Sequence, residues 1–521
     1  MKKLALGILC LGAVVLVWQI FGRNGQTESP GAADSLPPTT VQEKTLRLGV
    51  VGLPPGLGNP YRGTGVPTIY TIRAMFEGLT FVTEAGDVEQ LLATSWEMLD
   101  DLTWRFELRR DVLFHNGTPF NADAVVNAVD YLTSPEAGVE PIARDLGALE
   151  RAEAEDEHTV IIHTDVPAPL LPAMMESLLI VEPNLWRQLG RDQFARVPVG
   201  TGPFKLAQWS DAKATLTAHT NGWRQPRVDE LEIFAIPDAS ARVQAILSNR
   251  IDIAVAMSRD DILAIEAGGG TGDVGTTISV LGIVFILTGL DDGHPLLDKR
   301  VRQALNYGVD KDAYVAALFG NQTVAASQPA TAAAFGFNKD VKPYPYDPDR
   351  ARRMLAEAGY PDGFTFTAEV TIGGGASLAP AYQQVASDLL DIGVVMSLKT
   401  MPVQQLIRGI QEGDWRGEAF GMNYSAERTA DALRPLRLHS CIHRSPWYCD
   451  RALSDKIQTA FTTSDLDTRR TLTEEIMAAY HDEAPAIWMH EVIMYKALGP
   501  RVRNFRQDHT VLNYHDIEIV P

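Results

Sequence analysis

The side chains best equipped for chemistry crowd into one stretch, Ala419 to Asp450, AFGMNYSAERTADALRPLRLHSCIHRSPWYCD. Glu427, with Asp431 as a second choice, offers a carboxylate that can pair with an ammonium group, given reach and partial desolvation. Arg428, Arg434 and Arg437 carry planar guanidinium forks suited to a carboxylate or another anion. For each of these charges the plain alternative is a solvated surface group. His439, Cys441, His443 and Cys449 are of the types that hold zinc. Outside the cytoplasm two cysteines eight positions apart more often join each other, so a Cys441–Cys449 disulfide is expected and no metal site. Closing so short a loop is worth about 2.5 kcal/mol on the chain-entropy estimate.

Signatures of catalysis are missing. The chain has no GxSxG elbow, no Walker-type GxxxxGK[ST] loop and no HExxH. A GxGxxG match at Gly270–Gly275 follows a helix-like stretch and precedes the β-rich run TTISVLGIVFIL. A dinucleotide site needs the reverse order, so a flexible loop is predicted there. No catalytic residue and no cofactor is expected.

These side chains must be positioned by a chain of 521 residues, more than one hydrophobic core usually serves, so two or more lobes are expected. Lys+Arg of 46 against Asp+Glu of 66 gives 46 − 66 = −20. Such a field disfavours nucleic acid and anionic lipid and favours solubility. Lys2 and Lys3 precede an apolar run from Leu4 to Phe21, which reads as an export signal, with an uncleaved membrane anchor as the alternative. Residues 22–44 are rich in Gly, Pro, Ser and Thr and read as a linker, and the folded part is expected to begin at Thr45.

Beyond the linker, residues 69–79 are expected to be helical, with Ile72, Met75, Phe76 and Leu79 along one side. From Thr103 to Leu108 apolar and polar residues alternate strictly, which predicts a half-buried strand entered through Asp100 and Asp101. Asn116-Gly117 is a tight-turn pair, and Asn121 should cap a helix whose buried stripe is Val125, Ala128, Val129 and Leu132. Val280 to Leu287 is a continuous apolar strand of the sort that crosses between lobes. Asp298 reads as the cap of a helix. Asp347 caps another, Pro348 opens it, and Ala351, Met354, Leu355 and Ala358 form its stripe before Gly359.

The order of residue types around the alternating strand says more. Trp96, Asp101, Thr103, Trp104, Phe106, Leu108, Arg109, Val112, Phe114, Asn116, Gly117, Pro119, Phe120, Ala122 and Asp123 stand as in a signature of the bacterial extracellular solute-binding proteins of family 5. This chain resembles those peptide/nickel-type receptors of ABC importers. PVGTGPFKLAQW, Pro198 to Trp209, and RIDIAVA, Arg250 to Ala256, also match the family.

The resemblance implies an α/β protein with the two-lobed type II periplasmic-binding-protein fold and an inserted domain. Lobe I would comprise 45–82, 186–281 and 491–521, the inserted domain 83–185 and lobe II 282–490. It places Leu57, Asn59 and Tyr61 in a loop that approaches the ligand, and Ser258 beside the cleft. Tyr424 stands where peptide-binding relatives carry a Trp, and Glu427 is the acid nearest the place of an Asp that pairs with the peptide's amino terminus. Tyr61, Tyr424 and Trp415 would supply contact area, with Asn423, Glu427 and Arg437 fixing polar ends. The implied function is capture of a small peptide or peptide-like solute in the periplasm by a monomer, which delivers it to an inner-membrane ABC permease. Two other readings stay open, a periplasmic hydrolase using the same cleft and a membrane-anchored sensor.

Overall fold

Trp104, Phe106 and Leu108 turn inward from the strand Thr103–Leu108 while Thr103, Arg105 and Glu107 stay half-exposed, as the alternation predicts. It lies second in a four-stranded antiparallel sheet ordered Ala93–Asp100, Thr103–Leu108, Thr159–Thr164, Leu149–Asp156. The turn that follows it puts Gly117 at φ 85°, and the Asn116 side chain accepts from the Thr118 N–H at 3.2 Å. Helix Ala122–Thr133 buries Val125, Ala128, Val129 and Leu132 against this sheet. Asn121 occupies the cap position in extended conformation, yet its side chain makes no capping bond.

The computed structural model describes residues 44–520, positions 64, 372–377 and 428 apart. The signal or anchor expected over 1–21 and, Lys44 excepted, the linker expected over 22–44 lie outside the described residues. Among those described, no helix is long and apolar enough to cross a membrane.

A ten-stranded sheet carries the rest of the molecule. From one edge its order is Val394–Thr400, Phe364–Val370, Ala419–Ser425, Thr271–Phe285, Ala486–Leu498, Ile253–Met257, Thr45–Val50, Glu230–Ala235, Lys213–Ala218, Phe204–Trp209. Two long strands hold its halves together. Residues 271–276 pair with 493–498; past a register shift, residues 280–284 pair with 486–491, while 279–285 pair on their other side with 419–425. The shift between Thr276 and Val280 is thus where the long strands pass from one half to the other. One half is cored by residues such as Leu48, Phe76, Phe106 and Ile233, the other by Ile283, Leu305, Phe366 and Val385, with a further cluster around Tyr424, Trp447 and Trp488.

Local signals set several boundaries. The Asp347 carboxylate accepts from the Arg350 N–H at 2.8 Å and Pro348 opens helix Pro348–Glu357, which buries Ala351 and Leu355. Asp298 accepts from the Arg300 N–H at 2.8 Å and caps Lys299–Tyr307. Two expectations need correction. The run Gly270–Gly275 is no loop: strand Thr271–Phe285 begins inside it. A Cβ on Gly272 would meet Ile262 at 2.2 Å, so this glycine lets helix Arg259–Ala267 lie against the strand. The helix expected over 69–79 is Val66–Met75 and stops short, because the Met75 carbonyl is taken by the Gly202 N–H at 2.9 Å and Phe76 turns extended.

Candidate binding cleft

Where the long strands change partners, a cleft of about 500 Å³ opens between the two halves. Ile69, Ile72 and Arg73 of helix Val66–Met75, with Glu176 and Leu179, form one wall. Tyr382, Met422, Asn423 and Glu427 form the other, and Thr277, Ser279, His490 and Ile493 of the long strands lie across the floor. The lining is largely aliphatic with a few charges, the make-up of a small-molecule site.

Glu427 is the charge that stands out. It follows strand Ala419–Ser425, lines the cleft, and makes no hydrogen bond among the described residues. Burial pushes its carboxyl above the ordinary glutamate range; Arg434 opposes that shift and Glu176 adds to it. Arg434 does not discharge Glu427 by direct pairing, since its Nη1 donates to the Ser425 carbonyl and its Nη2 to Asp145, each at 2.7 Å. His490 accepts or donates at Nδ1 with the Tyr314 hydroxyl at 3.1 Å, and burial lowers it to about 4, which keeps the imidazole neutral.

The nine residues singled out in the sequence fall in different places. Asn423 and Glu427 line the cleft. Tyr424, one step along the strand from Asn423, turns the other way and stacks on His439 at 3.7 Å with 1% of its surface exposed. Trp415 stacks on Phe420 at 4.0 Å in the layer behind the same strand. Tyr61 is fully buried, its hydroxyl donating to the Leu179 carbonyl at 2.8 Å. Asn59 is buried too: its Nδ2 donates to Glu140 and its Oδ1 accepts from the Tyr61 N–H. Leu57 sits at φ 53° in the turn below. Ser258 caps helix Arg259–Ala267 in a reciprocal capping box with Asp261, while its neighbour Met257 reaches the cleft. Arg437 is exposed, with its guanidinium over the Phe461 ring at 4.6 Å. Arg428 lies outside the described residues.

Cys441 and Cys449 are joined in a disulfide, so neither is a thiolate ligand. Its loop presses Trp447 edge-on to Phe420 and His439, and so backs the cleft-wall strand with a closed aromatic layer. Among the described residues no group of three or more His, Cys, Asp and Glu is arranged to hold a metal.

Sequence reasoning passed over Arg73, Glu176 and His490. The signal for Arg73 was present: it is the one charge in the apolar run Ile69 to Phe76, where a solvated position is hard to find. Glu176 carries a comparable mark, as the one charge in the apolar run Leu170 to Val181, whereas His490 carries none, because only the register of the long strands brings it to the cleft.

Comparison with known proteins follows the same lines. The family model described as Bacterial extracellular solute-binding proteins, family 5 Middle matches residues 87–437. Di/tripeptide-binding protein 2 of Pseudomonas aeruginosa is 25% identical over 502 residues, spanning 89% of this chain and 93% of its own length. Heme-binding protein A of Haemophilus influenzae is 27% identical over 466 residues, spanning 82% and 83%. Among solved structures, the ABC transporter-associated periplasmic binding protein DppA from Helicobacter pylori, in complex with the peptide STSA, has a TM-score of 0.73 at 21% identity over 92% of this chain and 98% of its own. That likeness gives the architecture its name, the two-lobed type II fold of periplasmic binding proteins. With the match running over more than half of its length, the chain belongs to the bacterial extracellular solute-binding proteins of family 5.

Proposed function

We propose that this protein is the capture component of an ABC importer, closing its two lobes on a small peptide or peptide-like solute and passing it unaltered to an inner-membrane permease. The observation that carries this reading is Glu427, a carboxylate without a hydrogen-bond partner among the described residues, held in a largely apolar cleft of about 500 Å³. A solute ammonium would discharge it, while the aliphatic walls take the rest of the molecule. Relatives named for di- and tripeptides, and a neighbour holding a peptide, support the same class of solute.

Lobe I at 45–82, 186–281 and 491–521, the inserted domain at 83–185 and lobe II at 282–490 form the working parts of this proposal. The partner switch of the long strands between Thr276 and Val280 supports a hinge there. Contacts made only when both lobes engage the solute drive closure, since a ligand shifts the balance only by its difference in affinity between open and closed forms. The chain acts outside the inner membrane, as a monomer and without catalysis.

A thermal-shift screen against dipeptides, opines and oligosaccharides tests this reading. A true ligand at 100 times its Kd adds about 2.7 kcal/mol of stability. Mass spectrometry of the ligand afterwards should find it intact; a converted product would mark a hydrolase instead.

A further inference from the structure

Arg73 is the most demanding side chain in the cleft. It is 10% exposed, and its ion-pair contact is with Glu176 Oε1 at 3.6 Å, too long for a hydrogen bond. No hydrogen bond to a described residue engages any of its N–H groups. A guanidinium so largely withdrawn from solvent is costly, because its donors keep little water and gain no acceptor from the described residues. The neighbouring carboxylate of Glu77 needs nothing from Arg73. It already accepts from Thr201 Oγ1 at 2.8 Å, Trp223 Nε1 at 3.0 Å and Arg224 Nη2 at 2.5 Å. Burial also holds the Glu176 carboxyl above its ordinary range, which weakens its hold on Arg73.

Arg73 and Glu176 stand on one wall and Glu427 on the other, where the charge of Glu176 adds to the upward shift of the Glu427 carboxyl. We infer that Arg73 is the carboxylate anchor of the cleft, so that a zwitterionic solute sets its ammonium on Glu427 and its carboxylate on the Arg73 fork, one charge to each wall. The inference rests on the ammonium reading of Glu427. It deepens that reading by fixing the solute's other end and by naming the contact on the facing lobe. The guanidinium fork matches a carboxylate in two parallel bonds, and both ends engage together only when the walls approach.

Calorimetry on the full exported chain tests it, with leucyl-leucine, its C-terminal amide and its N-acetyl derivative as probes. The wild type should bind the amide and the N-acetyl form each at least tenfold more weakly than the free dipeptide. An Arg73→Gln/Glu176→Gln double variant, which removes Glu176's charge together with its partner, should bind acid and amide equally while still rejecting the N-acetyl form. Arg73→Lys, which keeps the charge and loses the fork, should fall between, and melting curves verify that both variants fold. A double variant that keeps the wild-type acid-to-amide ratio overturns the inference alone. A wild type that binds none of the three compounds, or fails to reject the N-acetyl form, overturns the ammonium reading and the inference with it.

Discussion

Arg434 Nη2 lies 2.7 Å from Asp145 Oδ1, joining residues 289 positions apart in the chain. Asp145 ends the short helix Pro141–Asp145, whose Ile142 lines the cleft, and Arg434 opens the turn that follows Glu427 on the opposite wall. The pair is therefore a strut between the walls, beside the carboxylate proposed to take the solute's ammonium. Both side chains are partly exposed, at 26% and 17%, so the strut is worth on the order of 1 kcal/mol. Arg434→Met should weaken solute binding about fivefold, chiefly through faster release, and leave the melting temperature nearly unchanged. Stopped-flow dissociation reads the first effect and calorimetric melting the second.

Glu427 makes solute binding pH-dependent with a definite sign. Its carboxyl is raised in the folded protein, so the empty cleft favours the protonated form, whereas an ammonium pairs with the ionised one. Affinity for an amine-bearing solute should fall as pH drops through that raised value, beginning above the usual glutamate range. Stability of the empty protein runs the other way. Between the unfolded and the folded value the native state holds a proton that the unfolded chain has lost, so this contribution is present at low pH and declines as pH rises. Glu427→Gln should remove the fall in affinity that protonation of Glu427 causes at low pH and stabilise the empty protein by about 1–3 kcal/mol at neutral pH. A variant less stable than the wild type at pH 7 would contradict this.

Lys311 supplies a second titration, away from the cleft. It is 3% exposed, donates to Asn306 Oδ1 at 3.1 Å, and is lowered by burial to about 7. Between pH 7 and the unfolded lysine value the unfolded state carries a proton that the native state lacks, so stability should rise with pH across that window. Lys311→Met should flatten the rise and stabilise the fold most at pH 6, as read from urea midpoints over pH 6–9.

The disulfide Cys441–Cys449 holds Trp447 behind the wall strand Ala419–Ser425. Replacing both cysteines by serine should cost about 2.5 kcal/mol, and solute affinity should drop with it as the aromatic layer loosens. Equal urea midpoints for variant and wild type would show that aromatic packing alone holds the loop.

Much of this architecture could be read from local pattern. Alternation in Thr103–Leu108 and the Asp347-Pro348 start signal act through neighbours in the chain, and both elements form where they imply. Failures came where a distant partner decides. Gly272 reads as loop until Ile262 is found to need its missing side chain, and the helix through Met75 ends because Gly202 claims its carbonyl. The cleft was half legible for the same reason. Asn423 sits on strand Ala419–Ser425 and Glu427 just beyond it, in the stretch that the resemblance picked out, but Tyr424 faces the core because the period of a strand allows only one face to the solute. Tyr61 and Asn59 are aromatic and polar as a binding loop should be, yet Leu179 and Glu140 take up their polar atoms. Arg73 and Glu176 meet across a gap in sequence that no spacing rule spans.

The account turns on an ammonium discharging Glu427 as the lobes close. The most direct measurement is calorimetric titration of wild type and Glu427→Gln with one dipeptide and its N-acetyl form, read as a double cycle. The account predicts that blocking the amine and neutralising Glu427 each lower affinity at least tenfold and that the two losses do not add, since they remove the same contact. Fully additive losses, or a Glu427→Gln protein that binds the free dipeptide as tightly as wild type, would contradict it.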